Sequence, residues 1–199
     1  MADQDDPLQK IQWRPHKDTF QPAPAELGVL AARYGIEPLG QADSPPQSPQ
    51  VWFEHDTMRK IRRHLGRDLE RELGGLLYGE VFHDPTLGVH IVIVWEALMA
   101  EQAEGSPVHI RYNEESWENI NRQKRLLDPA WNQVGNYHSH PGLGVFLSGT
   151  DLANQRAFFP ESWQVALVLD PVAGDEGIWA GPQGTPLDGY RLFSRKYLQ

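Results

Sequence analysis

The rhythm of hydrophobic and polar positions changes near residue 50. Beyond it, short apolar runs alternate with segments of helical period. "VWFEHD" (51–56) reads as a short strand. "TMRKIRRHLGRDLERE" (57–72) spaces Met58, Ile61, Leu65 and Leu69 by three or four, which predicts an amphipathic helix. "LGGLLYGEVF" (73–82) is an apolar strand whose glycines allow close backbone approach. "GVHIVIVWEALM" (88–99) is a second long strand and "SPVHIRY" (106–112) a third. "NEESWENINRQKRLL" (113–127) opens on an Asn cap and acidic turn and ends basic, as a helix dipole prefers. "WNQVGNYHSH" (131–140) is a strand, "SGTDLANQRAFF" (148–159) a helix and "WQVALVLDP" (163–171) a buried strand. "GIWAG" and "DGYRLFSRKYL" close the sheet. The pattern predicts an α/β fold, a mixed sheet flanked by helices.

Residues 1–50 follow another rule. They hold eight of the sixteen prolines, a density that opposes regular structure. The exception is "PAELGVLAARYG", where Leu27, Leu30, Ala31 and Tyr34 share a helical face, before the linker-like "QADSPPQSPQ". This reads as a Pro-rich N-terminal extension and linker (1–50) ahead of a single domain (51–199). The extension either lies against the domain surface or carries a short helix that docks a partner or covers the substrate groove. In the groove-covering reading, removing residues 1–50 raises activity.

Composition narrows the function. Apolar residues make up 40% of the chain, enough for a sizeable core, and the net charge of −9 argues against nucleic acid or anionic lipid as a partner. The start "MADQDDPLQK" shows no secretory signal and no apolar run spans a bilayer, so a cytoplasmic location and no membrane partner are expected. With no cysteine, disulfide frameworks, thiolate zinc sites and cysteine nucleophiles are excluded, and any metal must be held by His, Asp or Glu.

One segment meets that requirement. On a strand, His138 and His140 of "NYHSH" point the same way while Ser139 points opposite, placing the imidazoles roughly 6.6 Å apart along the strand. Two imidazoles converging over that gap can share one ion at Zn–N of about 2.0–2.1 Å. Ser148 and Asp151 fit a capping box at the start of the following helix. That structural role is compatible with a second one, because a cap puts Asp151 in the first turn, where the preceding loop can bring it to the histidines. Two His and one carboxylate leave a position for water, as in catalytic zinc sites. Such a site needs a proton acceptor, and the candidates upstream are Glu70, Glu72 and Glu80. Glu72 stands out mildly, since an acidic residue is disfavoured at the C-terminal end of a helix.

"HSHPGLGVFLSGTD" resembles the H-x-H-x7-S-x-x-D signature of the JAMM metalloproteases, also called MPN-plus or JAB domains. "ELGGLLYG" is similar to their upstream E-x-x-G-x-L-x-G segment, and "FPESWQVALVLDP" to the strand and D-P turn that follow the metal helix. The resemblance covers about residues 51–195. It implies the curved mixed sheet of MPN/JAB domains, a cytidine-deaminase-like architecture. It also implies one Zn2+ on His138, His140 and Asp151, with Glu72 as general base then acid and Ser148 as hydrogen-bond donor to the oxyanion. The implied reaction is cleavage after the Gly-Gly tail of ubiquitin or a ubiquitin-like protein, the tail pairing with a sheet edge.

Within the family, Phe146-Leu147 before Ser148 is similar to the deubiquitinase-like isopeptidase branch rather than the sulfur-carrier processors, where proline commonly precedes the serine. The chain resembles stand-alone bacterial members found beside ubiquitin-like proteins and conjugating enzymes, which would be its partners. The alternatives are a processing peptidase for a ubiquitin-like sulfur carrier and a non-catalytic MPN scaffold. The remaining histidines, His16, His55, His64, His83, His90 and His109, read as surface or edge residues. "RKIRRHLGR" reads as a solvated helix face, or else a dock for an acidic partner. Trp52, Trp95 and Trp117 read as core.

Overall fold

The structure, a computed structural model, describes residues 20–38, 46–101, 104–106, 109–111 and 113–195. Parts of the extension and its linker, together with His16 and the side chain of His109, lie outside the described residues. The elements run β1 (Ala23–Pro24), α1 (Leu27–Tyr34), β2 (Gln50–Glu54), α2 (His55–Leu65), β3 (Gly74–Asp84), β4 (Val89–Met99), β5 (Glu104–Ser106), β6 (His109–Arg111), α3 (Glu114–Lys124), β7 (Asn132–Ser139), α4 (Gly149–Phe158), β8 (Val165–Asp170), β9 (Asp175–Ala180), β10 (Thr185–Pro186) and β11 (Arg191–Phe193).

Nine of the strands form one mixed sheet in the order β10-β9-β8-β7-β3-β4-β2-β11, with β1 added along the far end of β3. Its centre is the long antiparallel β3–β4 hairpin, and β7 and β8 pair in parallel across the α4 crossover. The two closing segments end on opposite edges, β9 beside β8 and β11 beside β2. "SPVHIRY" does not join this sheet: β5 and β6 pair only with each other as a separate two-stranded hairpin among the described residues.

Alternation along the strands builds two core faces. Val51, Phe53, Leu77, Val92 and Val94 face α2, where they meet Met58, Ile61 and Leu65. Trp52, Ile91, Ile93 and Trp95 face the other way, under α1. On β4 the pairing steps from Glu96 to Val94 and leaves Trp95 as a bulge, which shifts the phase of the alternation. Ala97 therefore follows Val92 and Val94 into the first core, while Leu98 packs with Leu76, Tyr78, Ile120 and Phe159. Gly75 shows why β3 carries glycine. A Cβ there would sit 2.1 Å from the Leu98 carbonyl oxygen and 2.7 Å from the Tyr137 ring.

The helix expected over 57–72 stops at Leu65. After Gly66, the Asp68 carboxylate accepts from the Glu70 and Arg71 N–H groups, and this local turn replaces further helical bonds. Leu69 is consequently exposed, and Glu72 is carried to the entrance of β3. In the extension, Leu27, Leu30, Ala31 and Tyr34 are buried as their spacing predicts. Helix α1 is laid against Trp52, Trp95 and Phe193 and lines no part of the cavity beside His138, so it does not cover the groove. Trp52 and Trp95 are core, whereas Trp117 is 43% exposed on α3. Among the described residues no helix is long and apolar enough to cross a membrane.

Candidate metal centre

A loop leads from the end of β7 at Ser139 to the start of α4 at Gly149, so the carboxyl end of a central strand is followed by the first turn of a helix, a usual place for ligands in α/β sheets. His138 on β7 and His140 just past its end project to the same side, their ring centroids 4.9 Å apart. Ser139, between them, points to the opposite side and is buried. Its Oγ accepts from the Leu73 N–H at 3.0 Å, and its own N–H donates to the Leu73 carbonyl at 2.9 Å. That double link holds Glu72, the residue just before Leu73, beside His140.

α4 supplies the other half. Ser148 is the N-cap, its Oγ accepting from the Asp151 N–H at 3.2 Å, and Asp151 Oδ2 accepts from the Ser148 N–H at 2.7 Å, a complete capping box. The same carboxylate lies 3.4 Å from His138 Nε2 through Oδ1 and 3.5 Å from His140 Nε2 through Oδ2. Structural cap and convergence on the histidines are thus one arrangement. Candidate ligand atoms of His138, His140 and Asp151 all lie within 4.8 Å of one another.

Of the three glutamates left open by the sequence, one reaches this centre. Glu72 is buried, with Oε1 3.5 Å from His140 Nε2. Glu70 is exposed, and Glu80 accepts from Trp95 Nε1 at 2.7 Å. Burial pushes the Glu72 carboxyl up to about 7; His140 pulls against the rise and Asp151 adds to it. For Asp151 burial also opposes charge, but contacts with His138, His140 and Ser148 outweigh it and hold the carboxyl well below its ordinary range.

The donor set fits a zinc-type cation. Two imidazoles and a carboxylate are its usual ligands, and His138 Nε2 is buried with no hydrogen-bond partner in the protein. A buried carboxylate, Glu72, and a half-buried one, Asp151, flank the histidines, so a cation there is electrostatically favoured. Phe146 packs on the outer face of His140, ring centroids 4.6 Å apart.

A cavity of about 470 Å³ opens beside His138 and Asp151. Leu76, Trp117, Phe158 and Phe159 form its apolar walls, which explains the exposure of Trp117. Asn136, two residues before His138 on the same face, lies in its floor and donates to Gln155 Oε1 at 3.0 Å. Three features escaped the sequence reading. The inner serine of "HSH" carries no signal beyond its position, and nothing local shows that Phe146 packs on His140. Asp170, which accepts from Gly142 and Gly144 N–H groups, is readable only as part of a D-P turn.

The other histidines divide. His64 is buried, not a surface residue, with Nδ1 3.0 Å from the Tyr137 hydroxyl. His83 and His90 face each other across β3 and β4, and His55 is exposed. On α2, Arg59 pairs with Asp56, Lys60 with Glu96 and Arg62 with Glu176, while Arg67, just beyond its end, pairs with Glu101. Four basic residues of the cluster thus pair with acids of this same chain on its solvated face.

A mixed sheet holding a His–His–carboxylate group at a strand's carboxyl end, with a buried glutamate beside it, is an arrangement that could hold a metal ion. The model of prokaryotic homologs of the JAB domain matches residues 54–179, and the chain belongs to this JAB/MPN family. It is 29% identical to the 26S proteasome non-ATPase regulatory subunit 14 of Drosophila melanogaster over 80% of this chain and 51% of that one. With the ubiquitin carboxyl-terminal hydrolase RPN11 of Saccharomyces cerevisiae it shares 29% identity over 75% of this chain and 46% of that one. With COP9 signalosome complex subunit 5 of Caenorhabditis elegans the identity is 29% over 74% of this chain and 40% of that one. The chain spans about half the length of these curated relatives. In fold it is similar to a solution structure of a Desulfitobacterium hafniense protein, TM-score 0.54 at 20% identity, over 73% of this chain and 94% of that one.

Proposed function

We propose that the protein is a zinc-dependent isopeptidase or peptidase that cleaves after the C-terminal Gly-Gly tail of ubiquitin or a ubiquitin-like protein. His138, His140 and Asp151 would hold the ion. Bound Zn2+ supplies Lewis acidity and makes hydroxide accessible near neutral pH. Glu72 takes the proton of the attacking water and passes it to the departing amine nitrogen as the amide C–N bond breaks. Burial disfavours its charged form and so raises its affinity for the proton it must take up. Ser148 Oγ already accepts the Asp151 N–H, which leaves its hydroxyl hydrogen free to donate to the oxyanion. The similarity to a yeast ubiquitin carboxyl-terminal hydrolase supports the substrate class. Partners would be tail-bearing conjugates and the enzymes that make them, in the cytoplasm.

The observation that carries this reading is the approach of a buried Glu72 to His140, one of the two histidines that Asp151 meets. The test is zinc stoichiometry together with cleavage of a ubiquitin-like protein fused through its C-terminal Gly-Gly. One zinc per chain and hydrolysis that stops on chelation and returns with zinc are expected. A folded, zinc-free protein without hydrolysis overturns the reading and leaves a scaffold. Faster turnover of a sulfur-carrier adduct than of a lysine-linked conjugate would redirect the substrate assignment.

A further inference from the structure

The chain writes D-P-x-x-G twice, at 84–88 and 170–174, and folds both as the same hairpin turn. In the first, Asp84 Oδ1 accepts from Thr86 and Leu87 N–H groups at 2.8 and 3.0 Å, and Gly88 N–H donates to the Asp84 carbonyl at 2.8 Å. In the second, Asp170 Oδ1 accepts from Val172 and Ala173 at 2.9 and 3.1 Å, and Gly174 N–H donates to the Asp170 carbonyl at 2.8 Å. These bonds complete each turn. Both carboxylates are buried and keep acceptor capacity beyond it.

The two use that capacity differently. Asp84 Oδ2 accepts from Leu27 N–H at 2.8 Å and so ties down α1, far along the chain from the metal residues. Asp170 reaches the segment between His140 and Ser148: Gly142 N–H donates to Oδ1 at 2.8 Å and Gly144 N–H to Oδ2 at 2.9 Å. Both glycines have left-handed φ, 70° and 83°, so this path is one that the backbone does not take by default. Residues 141–147 join the two halves of the centre, the histidines on β7 and the Ser148–Asp151 box on α4. Phe146, in the same segment, rests on His140.

We propose that Asp170 is a positioning residue of the metal centre, gripping Gly142 and Gly144 so that His140 is held in register with Ser148 and Asp151. The inference rests on the reading of His138, His140 and Asp151 as metal ligands. A Asp170→Asn variant keeps one acceptor oxygen but turns an amide donor toward N–H donors, so the loop loses its grip while the side-chain shape is kept.

The internal twin supplies the control. Full-length wild type, Asp170→Asn and Asp84→Asn are compared for thermal midpoint, for zinc affinity by competition with a chromophoric chelator, and for kcat and KM on the ubiquitin-like fusion. Both variants are expected to lower the midpoint, since each breaks the same turn. Asp170→Asn alone is expected to weaken zinc binding by about 10-fold or more, in the range of outer-shell partners. When saturated with zinc it should lower kcat about 10-fold with KM little changed. Equal zinc affinity and equal kcat in the two folded variants overturn the proposal. If Asp170→Asn does not fold, Gly144→Ala decides, because its Cβ meets nothing within 4 Å and strains only the loop's left-handed turn. A folded Gly144→Ala with wild-type zinc affinity and kcat overturns it as well. Wild type that binds no zinc defeats the metal reading itself, a separate failure that takes this inference with it.

Discussion

Glu72 Oε1 lies 3.5 Å from His140 Nε2, with both side chains only 2% exposed. A carboxylate so placed can reach a water beside the histidines without being one of the three groups whose ligand atoms cluster. Glu72→Gln keeps the shape and removes the carboxylate proposed to accept the proton. Its expected effect is a loss of about 10²–10⁴-fold in kcat with zinc still bound at one per chain. Kinetics and metal analysis on the same preparation check it; unchanged cleavage would remove Glu72 from the reaction.

Ser148 caps α4, and the proposed reaction gives it a second, separable duty. As N-cap it contributes about 1 kcal/mol to stability, most of which glycine at the same position retains. As oxyanion donor it would contribute about 10²-fold to kcat, which neither alanine nor glycine retains. Ser148→Gly is therefore expected to melt close to wild type yet lose activity as fully as Ser148→Ala, with Ser148→Ala the less stable of the two. Thermal melts beside kcat measurements decide it, and an active Ser148→Gly would confine the serine to capping.

How much of this was legible depends on whether the signal is local. The order of strands and helices, the buried face of α1 and the His138–His140–Asp151 convergence follow from spacing and caps, which are properties of a few neighbouring residues. Periodicity overran the end of α2, because Leu69 keeps helical spacing although Asp68 has already turned the chain. It also could not show that "SPVHIRY" pairs away from the main sheet, a matter of which strand edge remains free. Burial of His64 and the double use of Asp170 arise from contacts across 73 and 26–28 residues. No window along the chain contains both partners.

His64 gives a dependence on pH. Burial, with Arg67 and Lys60 adding, lowers its pKa from 6.5 to about 4. The unfolded chain therefore binds the His64 proton more readily than the folded one between these values. Stability from this group is full above about pH 6.5 and is lost as pH falls toward 4. Replacing His64 with Gln removes the titration. The variant's melting temperature should fall less steeply than wild type between pH 7 and pH 4.5 (flanking values, about half a unit outside and inside that window). Parallel slopes would show that His64 does not remain neutral in the fold.

The N-terminal helix bears on activity in the opposite sense to a groove cover. α1 buries Leu27, Leu30, Ala31 and Tyr34 against Trp52, Trp95 and Phe193, and Tyr34 meets the Phe193 ring at 5.1 Å. β1 continues the sheet along β3, and Leu27 N–H is held by Asp84. Deleting the extension uncovers that apolar face at the opposite side of the sheet from α2, leaving Trp52 and Trp95 to water. The truncated chain is expected to melt lower and to self-associate, with no gain in turnover per folded molecule. Light scattering and activity normalised to bound zinc measure this. A monomeric truncation that cleaves faster than the full chain would restore the groove-covering role, and would require α1 to leave Trp52 and Trp95 during the reaction.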